Sequence, residues 1–257
     1  MSLIYEPKGK AREYSPLSMN IFNGCDHGCT YCYVPQCTFR PDANIKPLQR
    51  KNILAGLENE LKKSIPKEQV LLCFLCDPYS IHDVTPAITR QALEIFKKYS
   101  CKIAILSKGG RRVLRDLDLF KKYPSDKIKF GTTLTFFNDA LRLKYEPNAA
   151  DVSSRLETLQ IIHNAGIKTF ASIEPVIDPT ESLKIIAASL PFVDQYKIGK
   201  LNHDKAANNI DWTKFLSDAL SIVRPYEKEI YVKEDLRLAA PSVKLTSTEC
   251  DMNALNL

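Results

Sequence analysis

Asn23-Gly24-Cys25-Asp26-His27-Gly28-Cys29-Thr30-Tyr31-Cys32-Tyr33 carries three cysteines spaced C-x3-C-x2-C. That spacing lets three thiolates fold round three corners of a cubane iron–sulfur cluster, and Gly24 and Gly28 permit the tight backbone such wrapping needs. Three protein ligands leave one iron open, and an open metal position is where substrate chemistry takes place. Three other readings compete. A zinc ion would want a fourth ligand, which Cys37 could supply; His27 is near but sits inside the spacing. Cys37 could instead close a four-cysteine cluster, giving an electron carrier with no open iron. The thiols could also be plain core fillers.

The loop follows a short apolar run, Ser18–Phe22, and runs of the same kind recur along the chain. They are Gln69–Cys76, Lys102–Ser107, Lys129–Thr135, Lys168–Val176, Gln195–Leu201 and Glu229–Lys233. Each is apolar at its centre, as parallel strands buried on both faces are. Helical patterns separate them. Thr85-Pro86 opens a helix to Tyr99, with Thr85 as N-cap and Pro86 in the first turn. Asp178-Pro179-Thr180-Glu181 repeats that logic, with Glu181 placed to reach back as in a capping box. Leu156, Leu159 and Ile162 share one face of a helix from Asp151 that Gly166 closes. Further helices are expected over Pro47–Ile65, Arg111–Lys122 and Asp211–Arg224. About six strand–helix units predict a parallel α/β fold, in which ligands gather beyond the carboxyl ends of the strands. Periodicity alone does not separate an open sheet from a full or partial barrel.

The composition fits an ordinary globular protein: 257 residues, 44% hydrophobic, 26% charged, net charge +6. The basic excess suits an anionic substrate or nucleic acid without requiring one. The arginines at 111, 112 and 115 read as a solvated helix start. The opening residues MSLIYEPKGKAREY contain no apolar signal region, and no stretch approaches the ~18 apolar residues of a membrane span. A cytoplasmic protein with no membrane partner is expected. Its eight cysteines are then metal ligands, catalytic thiols or core residues rather than a disulfide framework. Cys73 and Cys76, read as strand residues, would point to opposite faces, so a joint site is not expected. The tail Thr246–Leu257 has a weak pattern and is expected to fray. Buried Glu174, Lys197 and Lys200 on otherwise apolar strands would need a ligand or mutual pairing.

The cysteine motif, with Tyr31 before its last cysteine, resembles that of the radical S-adenosylmethionine (SAM) superfamily. More narrowly, Tyr5-Glu6-Pro7-Lys8-Gly9 and Gly24 through Val34-Pro35 resemble the spore photoproduct lyase-like, or "DNA repair photolyase"-like, branch. Asp77-Pro78-Tyr79, Thr133-Leu134-Thr135, Glu146-Pro147, Ser172 through Asp178 and Lys197 through Asn202 add to the likeness, which spans roughly Leu3 to Asp235.

The resemblance implies a single-domain α/β fold, a partial (βα)6 TIM-like barrel over residues 18–236, with an N-terminal extension (1–17) and a C-terminal tail (237–257). It implies a [4Fe-4S] cluster on Cys25, Cys29 and Cys32, whose open iron binds SAM. An electron then cleaves the sulfonium, and the 5′-deoxyadenosyl radical takes hydrogen from substrate. Tyr31 would pack near the adenine. Asp77 stands where the superfamily often has a Gly-Gly-Glu-like turn for the methionine amino group. Ser107, Thr133 and Glu174 would meet the ribose or carboxylate. Arg155 could form a bidentate fork with the carboxylate, or a surface ion pair with Glu146 or Asp151. Spore photoproduct lyase uses a cysteine as hydrogen donor, and Cys76 lies in a comparable neighbourhood; Lys200 is the other catalytic candidate. A reducing partner such as flavodoxin or ferredoxin, and a nucleic-acid or small-molecule substrate, complete the expectation.

Overall fold

The computed structural model describes residues 2–37, 47–84, 87–202 and 205–257, apart from the side chains of residues 36, 37, 205 and 206. Seven strands form one sheet: β1 (Leu17–Met19), β2 (Val70–Leu72), β3 (Ile103–Leu106), β4 (Ile128–Thr133), β5 (Lys168–Val176), β6 (Gln195–Lys200) and β7 (Glu229–Val232). They lie in chain order and every neighbouring pair is parallel. Sequential parallel strands need a crossover each, and the helices supply it: α1 (Ile53–Lys63), α2 (Ile88–Lys98), α3 (Leu117–Phe120), α4 (Asp139–Tyr145), α5 (Val152–Asn164), α6 (Pro179–Ser189) and α7 (Trp212–Val223). Two short helices, α8 (Glu234–Ala239) and α9 (Ser247–Cys250), follow β7. Among the described residues no strand pairing joins β1 to β7. The sheet is therefore a partial barrel, open along one seam.

All seven expected strands are present; Lys168–Val176 coincides with its expected bounds, two others start a residue early, at Leu17 and Ile128, and the rest are trimmed at their ends. The first helix starts at Ile53 rather than Pro47 because Leu48–Gln49 pairs antiparallel with Phe22–Asn23. The stretch Gly110–Asp116 is a 3-10 turn that only then runs into α3. The expected cap Thr85 and Pro86 lie outside the described residues. Asp151 and Asp211 cap their helices, accepting from the N–H groups of Ser154 and Lys214. Asp178 does so for α6, accepting from Thr180 and Glu181. The capping box there does not form: the Glu181 carboxylate instead accepts from the N–H groups of Phe137 and Asn138, tying α6 to the loop after β4. Gly166, at φ +78°, ends α5 as expected.

The main core lies between sheet and helices, where Leu57, Phe96, Ile162, Ile186 and Phe215 are buried. A smaller one fills the concave side, made by Tyr14, Leu71, Ala104 and Phe170. Gly131 makes room for the Phe170 ring, which would stand 2.5 Å from any Cβ there. The segment before β1 spans the open seam. Ser15 Oγ donates to Gln69 O beside β2, while Glu13 accepts from the Tyr231 hydroxyl of β7 and the N–H of Glu234. Beneath the barrel the tail does not fray. Leu255 is buried, its carbonyl accepts from the buried Lys129, and Leu257 N–H donates to Gln69. Burying a lysine demands such partners, and the tail provides one.

Candidate active site

The strands end at one rim, and a cavity of about 470 Å³ opens there. The cysteine loop forms one wall. Gly24 and Gly28 adopt φ +88° and +62°. A Cβ on Gly28 would stand 3.3 Å from the Asn148 side chain, so glycine lets the loop lie close against that segment. Thr30 N–H donates to Tyr145 O (2.9 Å) and Asn148 N–H to His27 O (3.2 Å). On its other side Asp26 accepts from the Ser80 hydroxyl and the Ile81 N–H. Cys25, Cys29 and Cys32 are free, half-buried and line the cavity together.

Asp77 anchors this wall. Its carboxylate accepts from His27 Nε2, Tyr79 N–H, Ser107 Oγ and Lys108 N–H, each at 2.7 Å. Burial alone would raise its pKa, but these donors hold it at about 2. Four donors occupy the oxygens expected to meet an amino group, so Asp77 ties the loop at His27 to the end of β3. Ser107 is spent on the same bond, although it reaches the cavity wall. His27 had no sign in the sequence beyond its place inside the motif.

A second network backs the cysteines. Tyr31 donates to Glu146 Oε1. Lys108 Nζ donates to the Tyr31 oxygen (2.8 Å) and Cys29 Sγ (3.4 Å), and lies 3.3 Å from Glu146. Arg155 closes it from behind, donating to Glu146 Oε2, Thr133 O and Ala150 O. Arg155 is 2% exposed and is not among the cavity's lining residues. Both expectations for it need correction: the ion pair with Glu146 exists but is buried, and no part of the fork is free for a ligand. Burial pushes Glu146 up, yet Arg155 and Lys108 bring it down to about 2. Lys108 follows β3 on the rim that the sequence points to, but its pairing with Glu146 and Cys29 was not foreseen. Its signal was a lysine directly after an apolar strand, on the rim that carries the cysteines.

Two thiols sit on the cavity's next wall. β2 ends at Leu72, so Cys73 and Cys76 belong to a loop, and both line the cavity. The opposite-faces expectation therefore fails. Asn20 Oδ1 shapes the turn, accepting from Phe74 N–H (2.8 Å) and Leu75 N–H (2.7 Å). Burial, then the neighbouring Cys76, push the Cys73 thiol well up.

At the far end Glu174 is paired. Lys233 Nζ donates to both its oxygens (2.9 and 2.7 Å) and Tyr14 Oη to one (2.6 Å). Gly199 permits this: a Cβ there would stand 2.8 Å from the Glu174 carboxylate. Lys197 is fully buried and donates to the carbonyls of Glu13 and Tyr14, both at 2.9 Å. It holds the seam segment instead of facing the cavity. Thr133 and Lys200 do line it. Lys200 lies 5.6 Å above the Trp212 ring, and no carboxylate pairs with it among the described residues. The Cys37 side chain lies outside the described residues.

The three thiols suit a multi-iron cluster. Burial pushes Cys25 and Cys29 up, so their thiolate forms need cationic partners such as iron. Cys25, Asp26 and His27 also bring ligand atoms within 4.8 Å of one another. Asp26 Oδ2 and His27 Nε2 are bonded to Ser80, Ile81 and Asp77, which leaves Asp26 Oδ1 and His27 Nδ1 without a hydrogen-bond partner among the described residues, but a metal on that set would divide the cysteine trio.

The radical SAM superfamily model matches residues 19–190, well over half the chain. This chain is a radical SAM protein. A protein of Methanocaldococcus jannaschii, MJ0683, is 30% identical over 186 residues, 72% of this chain and 70% of that one. Streptococcus suis SuiB bound to S-adenosylmethionine superposes with a TM-score of 0.63 at 10% identity, covering 89% of this chain and 53% of that one. Spore photoproduct lyase complexed with dinucleoside spore photoproduct gives 0.59 at 15% identity, covering 94% and 66%. The radical SAM chain thus spans about half of SuiB and about two thirds of the lyase. At these identities the structural likeness speaks for the fold. The family's enzymes use a [4Fe-4S] cluster and SAM, which are this chain's cofactors, and draw their electron from a reductant. None of the described helices is long and apolar enough to cross a membrane.

Proposed function

We propose that this chain is a cytoplasmic radical SAM enzyme that holds its [4Fe-4S] cluster on Cys25, Cys29 and Cys32 and acts on a nucleic-acid lesion or base. The observation that carries the reading is the convergence of the three cysteines on one rim cavity. When bound, the cluster and SAM supply a 5′-deoxyadenosyl radical that abstracts hydrogen from substrate. The chain's own residues bind, orient and exclude water. Thr133 and Ser107 line the SAM side with Tyr31, while Asp77 and Arg155 serve from behind, holding the cysteine loop and Glu146. Glu174, already neutralised by Lys233, can accept from a ribose hydroxyl without bringing an uncompensated charge. Cys76 offers a hydrogen atom from the cavity wall, and Lys200, with no carboxylate partner among the described residues, offers a cation to an anionic substrate. Residues 18–236 form the catalytic body, flanked by 1–17 and 237–257. Flavodoxin or ferredoxin would deliver the electron. The lyase-like specificity rests on likeness to the photoproduct lyase branch and on the basic charge.

Anaerobic reconstitution with iron and sulfide tests the ligand set. About four irons per chain should bind, and the electron paramagnetic resonance (EPR) signal of the reduced cluster should change when SAM is added. A Cys32→Ala variant that keeps its full iron complement would overturn the assignment.

A further inference from the structure

Lys108 closes β3 and is held at both ends. Its backbone N–H donates to Asp77 Oδ2 at 2.7 Å. Its ammonium donates to the Tyr31 oxygen at 2.8 Å and lies 3.3 Å from Glu146. Those two contacts fix the position of the ammonium. The third bond, to Cys29 Sγ at 3.4 Å, is aimed at a thiol of the cysteine loop. Glu146 does not cancel the lysine's charge, because Arg155 already pairs with its other oxygen. With the Lys108 side chain 14% exposed, salt screens the arrangement little.

We infer that Lys108 is a positioning residue that donates an N–H···S hydrogen bond to the Cys29 thiolate and thereby raises the reduction potential of the cluster. The inference rests on the cluster ligation proposed above. One-electron reduction adds a negative charge that spreads onto the thiolate sulfurs. A cation and a hydrogen-bond donor at one sulfur favour the more negative state over the less negative one. The electron comes from the external reductant, and no proton needs to move. Tyr31 and Glu146 act through Lys108, fixing its chain so that the ammonium keeps its place.

The test is an EPR-monitored redox titration of the anaerobically reconstituted protein. Lys108→Met, which keeps the length and apolar stem, should retain the wild-type iron content. Its reduction equilibrium should fall at least tenfold, or 59 mV for one electron. Lys108→Arg, which restores a cationic N–H donor, should recover at least half of that shift. A Lys108→Met midpoint equal to wild type would overturn the inference. Should that variant fail to fold, electron–nuclear double resonance on wild-type protein labelled with 15N-lysine replaces it. A 15N coupling absent from Lys108→Arg supports the bond, and no such coupling in wild type overturns it. A wild-type protein that binds no cluster would instead sink the proposed function, so the two failures are distinguishable.

Discussion

Removing the Arg155 side chain should be among the most damaging single changes in this protein. Glu146 is fully buried, and Arg155 Nη2 lies 2.5 Å from its Oε2. Arg155→Met leaves that carboxylate to Lys108, Tyr31 and a long bond from Thr135 Oγ1, and frees the carbonyls of Thr133 and Ala150. Breaking a buried ion pair from one side costs about 3–5 kcal/mol. For a chain of this size that corresponds to a fall in Tm of roughly 6–10 °C. The pH dependence offers an independent figure. The Glu146 carboxyl titrates at about 2 in the fold against an ordinary 4.5. Its folded pKa is depressed, so its contribution is complete above 4.5 and is lost as pH falls toward 2. That interval corresponds to about 3 kcal/mol. Urea unfolding of Arg155→Met, Glu146→Gln and the double variant at pH 7 would measure the pair. Each single variant should lose at least 3 kcal/mol, with a coupling of about 2 kcal/mol between them. Single losses below about 1 kcal/mol, or strict additivity, would refute the reasoning.

Lys197 should make stability rise with pH. Burial, and then the charge of Lys233, bring its pKa from 10.5 to about 7. The unfolded chain therefore holds this proton longer than the fold does, and the charging cost is fully present below 7. Stability should gain about 2 kcal/mol between pH 6.5 and 8.5; a Lys197→Met protein with the same slope would contradict this. Gly199→Ala places a methyl group 2.8 Å from the Glu174 carboxylate and 2.9 Å from Lys233, and should cost about 1–3 kcal/mol. An unchanged Tm would mean that the pair yields freely. Deleting residues 255–257 strips Lys129 of a carbonyl partner and removes the buried apolar side chain of Leu255. Unfolding should become easier by about 2–4 kcal/mol, and no loss would return the tail to a dispensable role.

The strands were legible because parallel strands buried on both faces must be apolar throughout, and that pattern is local. The cysteine loop was legible because its ligands lie in one short segment. What escaped the sequence depends on pairings between distant segments. The Arg155–Glu146 pair was foreseen as a surface contact, but nothing in the local sequence tells that it is buried behind Tyr31 and Lys108. Nothing near Cys76 tells that Asn20 ends β2 early by capturing the Phe74 and Leu75 N–H groups. Glu174 was flagged as needing compensation, yet its partner, Lys233, comes from the end of β7, two strands away in the sheet. Asp139–Tyr145 was overlooked because a helix this short has little periodicity; its mark is the Asn138 cap, which accepts from Ala140 and Leu141.

The central claim is that the cysteine loop supports SAM cleavage in the rim cavity. Protein reconstituted anaerobically should be reduced with dithionite in the presence of SAM and the mixture separated for 5′-deoxyadenosine. The account predicts that this product forms with wild-type protein and disappears with Cys29→Ala. An iron-loaded, reducible wild-type protein that forms none, or a Cys29→Ala protein that forms as much, would contradict it.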